Sequence, residues 1–242
     1  MSILKAAISG TPRRNNHAHV VNELGRAIVS GTYKTGENLP KDAELENRFN
    51  VSRTVLREAM KTLGAKGLIV ARARVGTRVT DQSDWNFFDK DVLTWHMDAG
   101  FDQNFFAHLT DIRLSLEPFA AKLAAACILP KDARQLMQLC DDMEQAADNE
   151  AFALADLQFH QILLRASGNP FMFSIGNIIE AALANAFKLS GPTASPAAQA
   201  KTVDLHRQIA TAVTQGDGEA AQAAMQNAIA IGRDRVLNSV TP

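Results

Sequence analysis

Two short amphipathic segments joined by a turn constrain this chain more than any other feature. Residues 42–49, DAELENRF, put Leu45 and Phe49 on one face, and residues 53–63, RTVLREAMKTL, put Val55, Leu56, Ala59, Met60 and Leu63 on one face. Asn50 and Val51 make the turn, Ser52 is a good N-cap, and Gly64 and Gly67 close the second segment. A preceding helix is expected from about His17 to Ser30, with Val20, Val21, Leu24, Ala27 and Ile28 on its buried side and Gly31 as its stop. A helix that only packs has no need of polar residues at 52–54 and an arginine one turn later. In a helix-turn-helix, the first turn of the second helix enters the major groove of DNA. Ser52, Arg53, Thr54 and Arg57 are therefore the candidate contact residues, reaching base edges or phosphates.

The next residues, LIVARARVGTRVT at 68–80, are two β-prone runs around Val75–Gly76 and predict a hairpin. Arg72, Arg74 and Arg78 decorate it, and a basic hairpin after a helix-turn-helix makes a winged helix, with Arg72, Arg74 and Gly76 placed to meet DNA. The competing reading is a solvated basic hairpin on an ordinary domain. Charge favours the first. Residues 1–80 hold fourteen Lys/Arg against six Asp/Glu, a net +8, and residues 81–242 hold eleven against twenty, a net −9. That segregation points to a basic module for a polyanion joined to an acidic module with another task.

At 242 residues and 46% hydrophobic content the chain can bury a substantial core, which sets disorder aside. Its apolar runs, such as LAAACIL at 123–129, fall far short of the roughly 20 residues a bilayer-spanning helix needs. The arginines near the start follow the apolar part instead of preceding it, the wrong order for a secretory signal, so a cytoplasmic protein with no membrane partner is expected. Cys127 and Cys140 lie in helical patterns with no CxxC pair, so both are expected as buried, reduced thiols.

The expected organisation is a flexible arm at 1–16 carrying Arg13 and Arg14, a winged helix-turn-helix at 17–82, a linker helix at 83–99 built on WNFFDKDVLTWHM, and an all-α bundle at 100–240. Helices in the last part are predicted at about 102–129, 131–148, 150–167, 171–190, 197–215 and 218–238, broken by Pro130, Asn149, Gly168-Asn169-Pro170, GPTASP and Gly216-Asp217-Gly218. The fold class is mostly α.

Several of these stretches carry a resemblance. GTYKTGENLP, AEL, VSRTVLREAMKTLGAKGLI and VGTRV resemble the DNA-binding half of the GntR superfamily of bacterial regulators. DIRLSLEPFAAKLAA at 111–125, DLQFHQILLRASGNP at 156–170 and HRQIATAVTQGD at 206–217 resemble the FCD-type effector domain of its FadR subfamily. The linker WNFFDKDVLTW is similar to that of the sugar-acid regulators of this group, galactonate-operon repressors among them. Many relatives place an arginine where this chain has Ala43, so their operator sequences do not transfer.

Asp156 and His160 stand at i, i+4 on one helix face, and His206 lies on a later helix. A carboxylate and two imidazoles converging in a bundle can hold a divalent metal such as Zn²⁺ or Ni²⁺. The family pattern implies this site and completes it with a third histidine on the last helix, where this chain has Ala228 beside Asn227. Three readings stay open. The three residues hold a metal with open positions, they bind the effector without one, or Asp156 and His160 satisfy each other in a core. The remaining histidines, His17, His19, His96 and His108, have no such companions and are expected as surface or packing residues. The resemblance also implies that Arg113, in DxRxxxE, faces the cavity, where a guanidinium makes a bidentate contact to a carboxylate. Its bland alternative is an i, i+4 pair with Glu117.

The function expected from these features is a ligand-responsive transcriptional regulator, a homodimeric repressor of an operon for a carbohydrate acid. Its partners are double-stranded operator DNA and a small carboxylate effector, an aldonate or related sugar acid, with a short hydroxy acid or an acyl compound as alternatives. The competing class is a metal-dependent hydrolase using Asp156, His160 and His206 to activate water. It leaves the basic N-terminal half unused, and no HExxH or phosphate loop accompanies the metal residues. A purely architectural DNA-binder leaves the ionisable cluster unexplained.

Overall fold

The computed structural model describes residues 16–240, so the arm expected at 1–16, with Arg13 and Arg14, lies outside the described residues except for Asn16. The described chain forms two compact units that divide between Phe101 and Asp102.

The first unit begins with three helices, α1 (Asn16–Val29), α2 (Asp42–Phe49) and α3 (Arg53–Ala65). Ser52 caps α3 as its spacing predicts, its hydroxyl accepting from the Val55 amide at 3.4 Å. Leu56, Ala59 and Leu63 of α3 are buried against Val20, Leu24 and Ile28 of α1 and Leu45 of α2, and each such leucine contributes about 1.5–3 kcal/mol by leaving water. Strands β1 (Ile69–Arg72) and β2 (Gly76–Val79) pair antiparallel from Ile69↔Val79 to Arg72↔Gly76. The hairpin turns earlier than its glycine suggests. Arg74 takes the left-handed φ of 64°, the Arg72 carbonyl accepts from the Val75 amide at 3.1 Å, and Gly76 already belongs to β2. Gly67 cannot be replaced cheaply, because its φ is +81° and a Cβ there would lie 2.0 Å from the Asp84 carbonyl oxygen.

The aromatic segment at 85–97, expected as a linker, is core of this first unit. It forms a 3-10 turn (Gln82–Asp84) and then helix α4 (Lys90–Asp98), capped by Asp89, which accepts from the Asp91 and Val92 amides. Trp95 lies directly over Gly25, where a Cβ would come within 2.4 Å of the ring, and its indole N–H donates to Asn22 Oδ1 at 3.0 Å. Lys66 bridges Asp89 at 2.7 Å and Asp91 at 2.9 Å, and Arg26 pairs with Asp98 at 2.7 Å. His96 packs against Trp85 and Phe87. The indole is too large to leave in water once a glycine on α1 offers it a seat.

The second unit is helical throughout its described residues: α5 (Gln103–Cys127), α6 (Pro130–Glu144), α7 (Asn149–Ala166), α8 (Pro170–Ser174), α9 (Gly176–Leu189), a 3-10 turn (Pro192–Ala194), α10 (Pro196–Thr214) and α11 (Gly218–Val240). The single helix expected at 171–190 is two, because the Ile175 amide turns back three residues to the Met172 carbonyl and α9 restarts at Gly176. The core gathers Leu136, Cys140, Met143, Phe152, Phe159, Ile209 and Met225 around the alanines of α5, which let α11 approach closely. Cys140 is buried as expected, and burial pushes its thiol up to about 12. Cys127 is exposed, a correction to the expectation for both thiols, because it falls at the outer side of the last turn of α5. No helix among the described residues is long and apolar enough to cross a membrane.

Candidate functional site

Two polar constellations stand out, one on each unit. On the first, Arg53, Thr54 and Arg57 of α3 are exposed and line an open groove whose other wall is the hairpin, through Ala71 and Thr77. Arg72, Arg74 and Gly76 are exposed at the far end of that hairpin. None of these four arginine side chains makes a hydrogen bond or ion pair among the described residues, so each guanidinium is available to an outside anion. Ser52 is exposed too, but its hydroxyl is engaged in capping α3. Ala43 is exposed at the start of α2 and leaves that helix without a long donor at the position.

The second constellation is buried in the helical unit. Helix α7 projects Asp156 and His160, each 3% exposed, and α10 projects His206, 4% exposed. Asp156 Oδ1 lies 2.8 Å from His206 Nε2, and Asp156 Oδ2 lies 3.9 Å from His160 Nε2. The two imidazoles stand nearly perpendicular with centroids 5.7 Å apart, and Phe159 packs edge-on against both. His206 Nδ1 hydrogen-bonds to the Thr202 carbonyl at 2.8 Å, which turns Nε2 toward the carboxylate.

Glu117 of α5 joins the cluster, an addition that the sequence signalled only as a partner of Arg113. Its Oε1 accepts from Arg113 Nε at 2.5 Å, so the i, i+4 pair exists, while Oε2 makes an ion-pair contact with His160 Nδ1. Burial by itself would raise Glu117, but Arg113 and His160 outweigh it and hold the carboxyl at about 2. Burial would likewise raise Asp156, and His206 chiefly, with His160 and Arg113, holds it at about 2. His206 is shifted up: burial opposes its charge, and Asp156 and the Thr202 carbonyl more than compensate.

Arg235 of α11 was not foreseen. It stands seven residues after Ala228, two turns along the same helix face, and that spacing was the available signal. Its Nη1 donates to Thr202 Oγ1 at 3.1 Å, its Nε is buried with no partner among the described residues, and burial depresses its pKa against the opposing pull of Asp156. Arg113, Asp156, His160, His206, Ala228 and Arg235 all line one cavity with about 50 Å³ of free volume. Asn227 points away and is exposed.

Asp156, His160 and His206 offer one ligand atom each within 4.8 Å of one another. Asp156 Oδ2 and His206 Nε2 are buried without an aligned hydrogen bond among the described residues, and His160 turns its Nε2 toward Asp156 Oδ2 at 3.9 Å. Such orphaned donors and acceptors, with His206 braced by a carbonyl behind it, fit a divalent cation held by three protein ligands with an open side. Ala228, where the family pattern implies a third histidine, lines the same cavity, and a methyl group cannot ligate.

The model of bacterial regulatory proteins, gntR family, matches residues 16–79, and that of the FCD domain matches residues 108–230. The HTH-type transcriptional regulator YieP of Escherichia coli K12 is 36% identical over 88% of this chain and 92% of its own length. The galactonate operon transcriptional repressor of the same organism is 30% identical over 92% of this chain and 97% of its own. A solved structure described as Lar, which controls expression of the Listeria monocytogenes agr system, superposes over 94% of this chain and 99% of its own with TM-score 0.64 at 20% identity, a likeness of fold.

Proposed function

We infer the function from one premise: the chain belongs to the bacterial GntR family and carries an FCD domain. It is a ligand-responsive, DNA-binding transcriptional regulator of the FadR type and not an enzyme, which disposes of the hydrolase alternative. The finer reading is our proposal. Residues 17–82 bind operator DNA through Arg53, Thr54, Arg57 and the hairpin arginines. Residues 100–240 bind the effector and pair two copies into a homodimer, since one winged helix reads only a few base pairs and a genomic operator demands two. The protein works as a cytoplasmic repressor of an operon for a sugar acid.

The observation that carries the effector class is the convergence of Arg113 and Arg235 on the cavity that Asp156, His160 and His206 line. Two guanidiniums together with a carboxylate and two imidazoles on one cavity suit a molecule bearing a carboxylate and adjacent hydroxyls, such as an aldonate. A divalent cation held by Asp156, His160 and His206 would supply open positions to oxygens of that acid. The free volume of about 50 Å³ is too small for a six-carbon acid, so the cavity lining must rearrange on binding. A pocket that must rearrange gives the ligand the differential affinity for two conformations that control of DNA binding requires.

The test is fluorescence anisotropy with an operator fragment selected from random DNA, titrated with galactonate, gluconate, lactate and an acyl-CoA. Aldonates are expected to change operator affinity, and Arg113→Ala and Arg235→Ala to abolish the response while ligand-free DNA binding persists. A wild-type response in both variants, or a response to the acyl compound alone, overturns the sugar-acid reading.

A further inference from the structure

Glu117 is 2% exposed and touches two site residues on two helices, which its place in an intrahelical pair does not explain. One oxygen takes Arg113 Nε, four residues earlier on α5, and the other lies against His160 Nδ1 on α7. The Arg113 bond uses only Nε, and the two Nη groups make no further hydrogen bond among the described residues. His160 Nδ1 and Glu117 Oε2 are each buried, and neither has an aligned hydrogen-bond partner elsewhere among the described residues. We propose that Glu117 is a positioning residue that orients Arg113 and His160 as one unit, directing the arginine's paired Nη donors to the cavity and keeping the His160 proton on Nδ1.

The physical reason lies in the two nitrogens of an imidazole. In the neutral ring one carries the proton and the other a lone pair, and a carboxylate against one nitrogen draws the proton there. With Nδ1–H turned to Glu117, the lone pair sits on Nε2, the nitrogen that faces Asp156 at 3.9 Å. His206 has the same orientation, with Nδ1 on the Thr202 carbonyl and Nε2 facing inward, there 2.8 Å from Asp156 Oδ1. Two rings on different helices are thus held with the same nitrogen toward one point. Without Glu117 the His160 ring has no acceptor at Nδ1 and can place its proton on Nε2, on the side of the Asp156 carboxylate. Arg113 loses the anchor at Nε and gains rotamer freedom that an anion must then remove.

This inference deepens the effector reading above, yet its test needs neither the effector nor a metal. Protein labelled with ¹⁵N-histidine, freed of metal by a chelator, is observed through the long-range proton–nitrogen couplings of its imidazole rings, with His160 assigned by its absence in His160→Gln. The expected result is a protonated Nδ1 on His160 in the wild type. Glu117→Gln, which keeps an acceptor oxygen, retains that state, and Glu117→Met loses it while His206 keeps its Thr202 bond. A merely structural role for Glu117 lowers the melting temperature in both variants and leaves the His160 signals alone. A bare Nδ1 in the wild type overturns the proposal outright, whether or not Glu117→Met folds, and so does an unchanged His160 spectrum in folded Glu117→Met. A wild-type spectrum as expected alongside no response to any aldonate leaves Glu117 in place and removes only the sugar-acid reading.

Discussion

The two polar constellations of this molecule are built on opposite principles. Arg53, Arg57, Arg72 and Arg74 are exposed and unpaired, held on a helix and a hairpin whose cohesion comes from apolar residues behind them. Asp156, His160, His206 and Glu117 are buried, and each is another's electrostatic partner. A charge left in water costs nothing to keep and acts only when a polyanion arrives. A charge taken out of water must be compensated within the fold, so the helical unit's site is also part of its stability. Binding and folding are separable in one unit and joined in the other.

The sharpest way to break that contrast is to remove one buried partner. Asp156→Ala leaves His206 and His160 facing an empty place, and the helical unit is expected to lose about 3–5 kcal/mol, read from chemical denaturation. A loss under about 1 kcal/mol means the cluster is hydrated and the contrast false.

Next in size, Asn22→Ala strands the Trp95 indole N–H in the core of the first unit and is expected to cost about 1–3 kcal/mol of that unit's stability. Arg53→Ala and Arg57→Ala lie in the same unit yet are expected to leave its melting curve within about 0.5 kcal/mol while each weakens operator binding by about 1–3 kcal/mol. Operator affinity should also fall steeply with salt, because the arginines displace condensed counterions. A flat salt response denies the exposed arginines their role.

Acid sharpens the comparison. Glu117 and Asp156 are both held at about 2, below their unfolded values of roughly 4.3 and 3.9. Depressed carboxylates contribute stability that is present above the unfolded values and is lost as pH falls through the folded ones. The denaturation midpoint of the helical unit is therefore expected to drop between about pH 4 and pH 2, and Glu117→Gln should flatten part of that slope. His206, raised in the folded state, works in the other direction, its contribution being present below about pH 6.5 and lost as pH climbs through its folded value. The smallest effect belongs to the thiols. Exposed Cys127 should react with a thiol reagent in the native protein and buried Cys140 only after unfolding, and Cys127→Ser should change stability by under about 0.5 kcal/mol.

The helices were legible because their signals are local. Ser52, Asp89, Asp102 and Asp148 cap their helices through hydrogen bonds to amides two or three residues ahead, and Pro130 and Pro196 open theirs. The break at Ile175 was not legible, since the apolar periodicity runs through it and the turn depends on a single amide's choice of acceptor. The seat of Trp95 was hidden as well, because it takes a glycine seventy residues away to make room.

The sequence alone determined the class of machine: a basic reading head, an acidic helical unit, and Asp156 and His160 on one helix face. These follow from residue type and periodicity, which act over one or two turns of chain. Tertiary structure alone decided that Glu117 reaches across from its own helix to His160, that Arg235 enters the cavity beside Ala228, and that the aromatic segment joins the first unit's core. Each of these depends on which helix faces which at a few ångströms, and the free energy of a buried charge is set at that range, by the partner it meets and the water it loses.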